Sequence, residues 1–567
     1  MKKISIITIK WACILLSVVL FLLIGFVQYS KNKLHSTSPK IPAEYVYQNL
    51  IIENNDSLFK YGENWARVNQ YGIWEVSLEG DAFERGVAYG NLIKEPIQYQ
   101  EEVFVNSINK VIPSRFYQWF LKNLIYLFHA DVNNYVSEEL KNEILGVSLY
   151  FSDKYDYIGE KYMRILAYHA AHDLGHALNN YSLVGCTSFS AWGDNTKDGN
   201  IIHARNFDFY FGDDFAKEKV LLMVQPDSGY AFISYSWPGM MGVVSGMNEE
   251  GLAITINASM SSPPTSAKLP ISLLVRETLQ FSKNLEEAKN YINSKEVFVS
   301  ESIMISSAND NKTIIIEKTP EKTDIFEDNE LIICSNHFQS TSFLKDSINI
   351  KNIKNTDSQH RYNRVNELIN KTSILDVKTS VEILRDNKGL NNKEIGFGNS
   401  HAINQLLAHH GIVFEPKKKN VWLSTPPYQL GDFICYNLDS IFSSDNSKIM
   451  QIIKEDSFLD TKEYDDFEKH KIIRNKLNDY IIFNTQEPQF DKNEFIRLNP
   501  NSYNTYFILG RFYYKREEYK KAEEMFNIAL TKNLPSQSLK NEIENYLTNL
   551  QQTPVDRIKP TKSTIST

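Results

Sequence analysis

Apolar runs separated by short polar turns fill the middle of this chain, and helical stripes dominate its flanks. Ile73–Leu78 alternates apolar and polar residues, the period-two pattern of a half-buried strand. VLLMVQP, AFISYSW, GMMGVVSGMN and GLAITINAS, between Val220 and Ser259, predict successive strands with a turn at Asn248–Gly251. More strands are expected near Ser302–Ser307, Thr313–Glu317 and Leu331–Asn336, and Leu269–Tyr291 reads as one amphipathic helix. GIVFEP and VWLSTPP, joined by a KKKN turn, predict a β-hairpin. Ahead of these runs, Gly86 and Gly90 stand four apart in GDAFERGVAYGNL, where a helix can pack closely on a neighbour.

At 567 residues the chain exceeds one ordinary domain. Trp11–Val27 is an uncharged apolar run preceded by Lys2, Lys3 and Lys10, with no small-residue cleavage site after it. Residues 1–33 therefore read as a signal-anchor or transmembrane segment that holds the catalytic part outside the cytoplasm; cleavage and export is the alternative. Residues 34–69 read as a linker, 70–185 as a mainly helical first part, and 186–443 as the chemical core. Residues 444–550 read as helical: Tyr506, Leu509, Gly510, Tyr513, Ala522, Phe526 and Ala529 have the spacing of one tetratricopeptide-like helix pair at about 500–535. Such a pair cannot bury its own faces, so it is expected to dock on neighbouring helices or on a protein partner. Residues 551–567 lack apolar content and read as a disordered tail.

The formal charge of −8 is mild and spread out, so no nucleic-acid partner is expected. Four cysteines are too few for a disulfide scaffold and lack metal-ligand spacing. Cys334 and Cys435 read as buried free thiols, with pairing in an oxidising compartment the alternative. In HAAHDLGHAL, His172 and His176 flank Asp173 in a zinc-hydrolase-like spacing, but Asp is shorter than the usual Glu base and no third ligand follows. That stretch reads as a hydrogen-bonded helix, and neither metal nor cofactor is expected.

The most informative stretch is GCTSFSAWGDNTKDGNIIHARNFDF, from Gly185 to Phe209. It reads as two strands, Cys186–Trp192 and Ile201–Asp208, around a polar loop. If Trp192 faces Ile201, then Cys186 mirrors Phe207, and Arg205 and Asp208 lie one or two residues from opposite the cysteine. One thiol, one guanidinium and one carboxylate then share a corner, where an Arg lowers a thiol's pKa and orients carboxylates. An ordinary hairpin with a core Cys and an ion pair fits the same spacing.

GCTSF followed by DGNIIHARNFDF resembles the start of the mature subunit in cysteine N-terminal-nucleophile hydrolases, most closely the penicillin-acyltransferase-like group, with acid ceramidase and choloylglycine hydrolase as relatives. The GDAFERGVAYG piece resembles the segment ahead of the nucleophile in that group. The resemblance implies an α+β, four-layer αββα sandwich over roughly residues 70–440 and a precursor that cuts itself before Cys186. It implies Cys186 as nucleophile, Arg205 and Asp208 as orienting groups, Asn257 and Asn336 as oxyanion donors, and Arg361 as a substrate-side or structural arginine. The substrate class it implies is a linear N-acyl amide, acted on by hydrolysis or acyl transfer. An envelope interaction protein with an inert core, and a Cys–His peptidase, are the competing readings.

Overall fold

Alternation along Lys219–Pro226 decides where the layers lie. Val220, Leu222 and Val224 join one buried cluster, whereas Leu221 and Met223 join another, so both faces of the strand are covered. The first cluster brings in Val87, Ile144, Ile165 and Leu274 from the helices Ala82–Leu92, Glu138–Ser148, Lys161–His169 and Ile271–Phe281. The second brings in Ile412, Phe414, Leu423 and Tyr436 from a second sheet. That sheet's far face, with Phe189, Ala204, Val413 and Phe433, packs on Val365, Ile369, Val381 and Leu384 of the helices Ser358–Lys371 and Val377–Leu384. The order is helices, sheet, sheet, helices: a mixed α+β architecture built on two large sheets.

The computed structural model describes residues 39–53, 57–111, 132–170, 185–210, 212–260, 267–372, 374–443 and 448–552, with Ser114 and scattered positions between residues 11 and 32. The first sheet has eleven strands and the second seven. In the first, Ile73–Gly80 runs parallel to Lys219–Pro226, from Ile73 opposite Lys219 to Gly80 opposite Pro226. In the second, Thr187–Gly193 pairs with Gly199–Phe207 on one side and Leu331–Cys334 on the other. The predicted hairpin forms as His410–Glu415 and Asn420–Ser424, with Lys419 in the left-handed region at the turn.

Helix Ala82–Leu92 starts at Asp81, whose carboxylate accepts from Glu84 N–H at 2.9 Å. Gly86 is where it crosses Glu138–Ser148, and a Cβ there would lie 2.1 Å from the Glu143 carbonyl oxygen. The close packing expected of this glycine is thus met by backbone.

Three expectations need correction. The linker at 34–69 contains the strands Ile51–Glu53, Leu58–Tyr61 and Asn64–Val68, which extend the first sheet outward from Ile73–Gly80. Their alternation is short and interrupted by Gly62 at positive φ, which hides it from a periodicity count. The core does not stop at 443, because Gln451–Ile453 pairs with Phe433–Asn437 as the last strand of the second sheet. The single helix at Leu269–Tyr291 is two, Ile271–Phe281 and Leu285–Asn293, because Ser282 is extended and Asn284 caps a new start through Glu287 N–H at 2.9 Å.

Seven of the seventeen residues of Trp11–Val27 (Cys13 among them), the His172–His176 stretch and residues 553–567 lie outside the described residues. Among the described residues no helix is long and apolar enough to cross a membrane. At the other end, Tyr503–Lys515 and Tyr519–Leu530 pack as a helix pair, with Gly510 accommodating the Phe526 ring, on the helix Lys462–Phe483. This helical region touches the core at the loop 396–405. Asn499 exchanges hydrogen bonds with the Phe397 backbone at 3.2 and 2.9 Å, and the Asn533 side chain meets His401 Nδ1 at 2.7 Å.

Candidate active site

Strand pairing assembles the site. Thr187 faces Asn206 and Ser188 faces Arg205, the register that the sequence spacing predicts, and Cys186 stands one residue ahead of the first pair. Arg205 points into the space between the sheets and is fully buried. Its Nη1 donates to Val244 O at 2.6 Å and to Ser245 Oγ, and its Nη2 donates to Ile256 O at 2.6 Å. The same Nη2 lies 3.5 Å from Cys186 Sγ, and the guanidinium sits 4.2 Å over the Phe207 ring. Burial pushes the Cys186 thiol up from its ordinary pKa, and Arg205 opposes that. Cys334 and Cys435 are buried free thiols.

Asp208 is equally buried. Its Oδ2 accepts from Gln405 Nε2 at 3.0 Å, while Oδ1 has no partner. Burial lifts this carboxyl to about 7, against the pull of Arg361 and Arg205. The bond between Gly185 and Cys186 is held from several directions. Gly185 N–H donates to Asp208 O at 3.0 Å, Gly185 O accepts from Gln405 Nε2 at 2.8 Å, and Cys186 O accepts from Arg361 Nη1 at 2.5 Å. Gly185 is not at positive φ; a Cβ there would come 2.6 Å from Gln405 Nε2, so a side chain at this position would displace that amide.

Arg361 is not a solvated helix arginine. It is buried, donates to Thr187 Oγ1 at 2.8 Å, and bridges Asn336 Oδ1 at 2.7 Å and Asp357 Oδ1 at 3.0 Å. Asn336 Nδ2 donates to Ala258 O at 2.9 Å. Asn257 Nδ2 donates to Cys334 O at 3.1 Å, and its Oδ1 accepts from Ser188 Oγ at 2.7 Å. Each amide therefore has one N–H on a backbone carbonyl and a second in reserve. The structure gathers the six sequence-predicted residues around Cys186, five of them buried and Asn336 half-buried.

Sequence reasoning missed Gln405, which lies in an irregular loop far along the chain and carries no spacing signal. It also missed the support behind Arg205. Ser245 Oγ meets His410 Nε2 at 2.9 Å, and His410 Nδ1 meets His409 Nδ1 at 2.9 Å. Burial holds both imidazoles well below their usual pKa, so they serve as neutral hydrogen-bonding groups. Among the described residues, no histidine hydrogen-bonds Cys186 Sγ.

Residues 194–426 match the family model described as acyl-coenzyme A:6-aminopenicillanic acid acyl-transferase. The chain is similar there to the N-terminal-nucleophile hydrolase family. The matched span takes in Arg205, Asp208, Asn257, Asn336, Arg361 and Gln405, and begins past Cys186. An uncharacterized protein of Archaeoglobus fulgidus is 28% identical over 236 residues, which is 39% of each chain. The N-acylethanolamine-hydrolyzing acid amidase of Caenorhabditis elegans is 24% identical over 264 residues, 43% of this chain and 66% of that one. The chain thus spans less than two thirds of the length of either relative. A solved structure of the Caenorhabditis elegans amidase superposes at a TM-score of 0.30 and 16% identity, covering 41% of this chain and 93% of that one; so low a score carries no argument.

Proposed function

We propose that the chain is a self-processing cysteine amidohydrolase or acyltransferase of the N-terminal-nucleophile type, acting on a linear N-acyl amide through an acyl-Cys186 intermediate. Processing begins with Cys186 Sγ attacking the Gly185 carbonyl carbon. The C–N bond to Cys186 breaks as the C–S bond forms, and water then hydrolyses the thioester to a Gly185 carboxylate and a free Cys186 α-amine. An α-amine has a reference pKa of about 7.7–8.0, so it can take the thiol proton without any histidine.

The observation that carries this reading is Asp208 Oδ1, a buried acceptor without a partner beside the Gly185–Cys186 peptide. A buried unpaired carboxylate oxygen is costly, and an ammonium created at Cys186 would supply the missing donor. Arg205 stays beside Sγ, Arg361 holds the Cys186 carbonyl, and the second N–H groups of Asn336 and Asn257 stabilise the substrate oxyanion. The N-terminal apolar segment anchors this enzyme to a membrane with its catalytic part outside the cytoplasm, and the tetratricopeptide-like helix pair is open to a protein partner.

N-terminal sequencing of the purified protein, with a screen of N-acyl amides on the same sample, tests the reading. A fragment beginning at Cys186 and thiol-dependent turnover are expected, and Cys186→Ala should yield one uncut, inactive chain. An active enzyme that keeps Gly185 attached to Cys186 would falsify the mechanism.

A further inference from the structure

Ser245 stands where the two sheets meet. It opens the strand Ser245–Asn248 of the first sheet, and its hydroxyl lies between two side chains of the second. Arg205 Nη1 donates to Ser245 Oγ, and His410 Nε2 lies 2.9 Å from the same oxygen. Arg205 and His410 come from paired strands, with Ile412 opposite Arg205 and His410 opposite Phe207, so both project from one face. His410 Nδ1 in turn meets His409 Nδ1 at 2.9 Å. All four side chains are fully buried, which makes every unmatched hydrogen costly.

That burial fixes the direction of the hydrogens. A guanidinium only donates, so Ser245 Oγ accepts from Arg205. Among the described residues its one other partner is His410 Nε2, so the serine's single hydrogen goes there. His410 then carries its proton on Nδ1 and donates it to His409 Nδ1, which leaves His409 with an N–H on Nε2. That nitrogen has no hydrogen-bond partner among the described residues. Aromatic rings surround it instead: Phe207, Phe215 and Trp237 stand steeply to the imidazole, with centroids 6.4, 6.0 and 5.7 Å away. Electron-rich ring faces suit an N–H far better than a bare lone pair. The opposite order would strand both the Ser245 hydrogen and a His409 lone pair. Lys219 Nζ donates to His409 O and, at 3.0 Å, to Ala216 O. Burial first, and then the flanking Lys219 and Arg205 cations, keep both imidazoles neutral.

Every Nη hydrogen of Arg205 is thereby assigned. Nη1 serves Val244 O and Ser245 Oγ, and Nη2 serves Ile256 O and Cys186 Sγ. Three oxygens fix the plane of the fork and aim its fourth hydrogen at sulfur. Two of them are backbone; Ser245 Oγ alone can turn away, and His410 prevents that by taking its hydrogen. We infer that His410 is a positioning residue for the chemistry at Cys186, acting through Ser245 to hold the Arg205 fork with one N–H on Sγ. A thiolate forming there meets a charged donor already in place. The inference rests on the amide-cleaving reading for the reaction it serves, but the thiol can be read without turnover.

Wild type, Ser245→Ala, His410→Leu and His410→Gln are treated with iodoacetamide across the pH range in which cysteines titrate, and the Cys186 adduct is read by mass spectrometry. Cut and uncut chains give different Cys186 peptides, so like is compared with like. Ser245→Ala and His410→Leu should move the midpoint of alkylation up by about one pH unit, tenfold less thiolate at a given pH below it. His410→Gln should stay near wild type, because one amide can both accept from Ser245 and donate to His409. Loosened packing alone would lower the melting temperature of the same samples without moving the midpoint. An unmoved midpoint in a folded Ser245→Ala chain overturns the inference, whether or not the His410 variants fold. A His410→Gln chain that behaves like His410→Leu removes His410 from the role. In spectra of 15N-histidine-labelled protein, the signals lost on His410→Gln should show a protonated Nδ1 and a bare Nε2; the reverse overturns the hydrogen order. A thiol that responds as described in a protein that neither cuts itself nor cleaves amides supports the positioning role and counts against the amide reading instead.

Discussion

Gln405 reaches across 220 residues of sequence to place its Nε2 2.8 Å from the carbonyl oxygen of Gly185. The same nitrogen lies 3.0 Å from Asp208 Oδ2, so one amide group fixes both the carbonyl that the proposed processing would attack and the carboxylate beside it. A donor already aimed at a carbonyl that gathers negative charge on attack stabilises that charge without reorganising. Gln405→Leu should slow conversion of the full-length chain by about 100-fold, read as band intensity against time on a denaturing gel. Conversion at the wild-type rate would remove Gln405 from the reaction.

Asp208 makes the fold pH-dependent. Its carboxyl moves from 3.8 to about 7 through burial, so the folded chain holds this proton more tightly than the unfolded chain does. Stability from this group is greatest below pH 3.8, falls as pH rises to about 7, and is flat above. At about 1.4 kcal/mol per pH unit the loss is at most about 4 kcal/mol. In a Cys186→Ala background, where processing cannot intervene, Asp208→Asn should therefore raise the urea midpoint at pH 8 and leave it unchanged near pH 3.5. A drop at pH 8 would mean that the charged carboxylate is stabilising, contrary to this account.

The crossing at Gly86 leaves no room for a methyl group. A Cβ would meet Glu143 O at 2.1 Å, and a Cβ on Gly146 of the facing helix would meet Phe83 O at 2.5 Å. Both obstacles are backbone, so relief requires the helices to move apart. Gly86→Ala should cost about 3 kcal/mol in denaturant unfolding. A variant within about 0.5 kcal/mol of wild type would show that the helices are not locked here.

The helical region braces the loop that carries Gln405. Asn499 and Asn533 bond its backbone and side chains, and a Cβ on Gly396 would lie 2.4 Å from the Ser502 backbone nitrogen. A chain ending after Ile453 keeps the last strand but loses these contacts. It should melt at least several degrees lower and process more slowly than the full chain. Equal melting and processing would show that the loop holds itself.

Much of this site was legible because the hairpin at Gly185–Phe209 is local. Strand alternation fixes its register, and the register places Arg205 and Asp208 near Cys186. Arg361 and Asn336 came from resemblance alone; nothing in their spacing announces that Arg361 Nη1 reaches Cys186 O. Gln405, Ser245 and the His409–His410 pair stayed hidden because their roles arise when distant segments pack, and a single polar residue in a loop carries no period. The strands between residues 51 and 68 were lost for a different reason. They are short strands at one end of the sheet, the outermost exposed and the next two only partly buried, so their alternation is too weak to separate from a polar linker.

The strand Ile73–Gly80 precedes Gly185 in the chain and Lys219–Pro226 follows it, yet the two are parallel neighbours over their whole length in the interior of the eleven-stranded sheet. A break between Gly185 and Cys186 would thus rewire the polypeptide without dividing the fold. Separation would require unzipping a central ladder and stripping the helices around Val87 and Ile144 from the sheet face they cover. Each piece is the other's missing half, so neither is expected to persist alone. Residues 186–567 produced by themselves would present the bare edge of Lys219–Pro226 and an uncovered apolar face, and should aggregate.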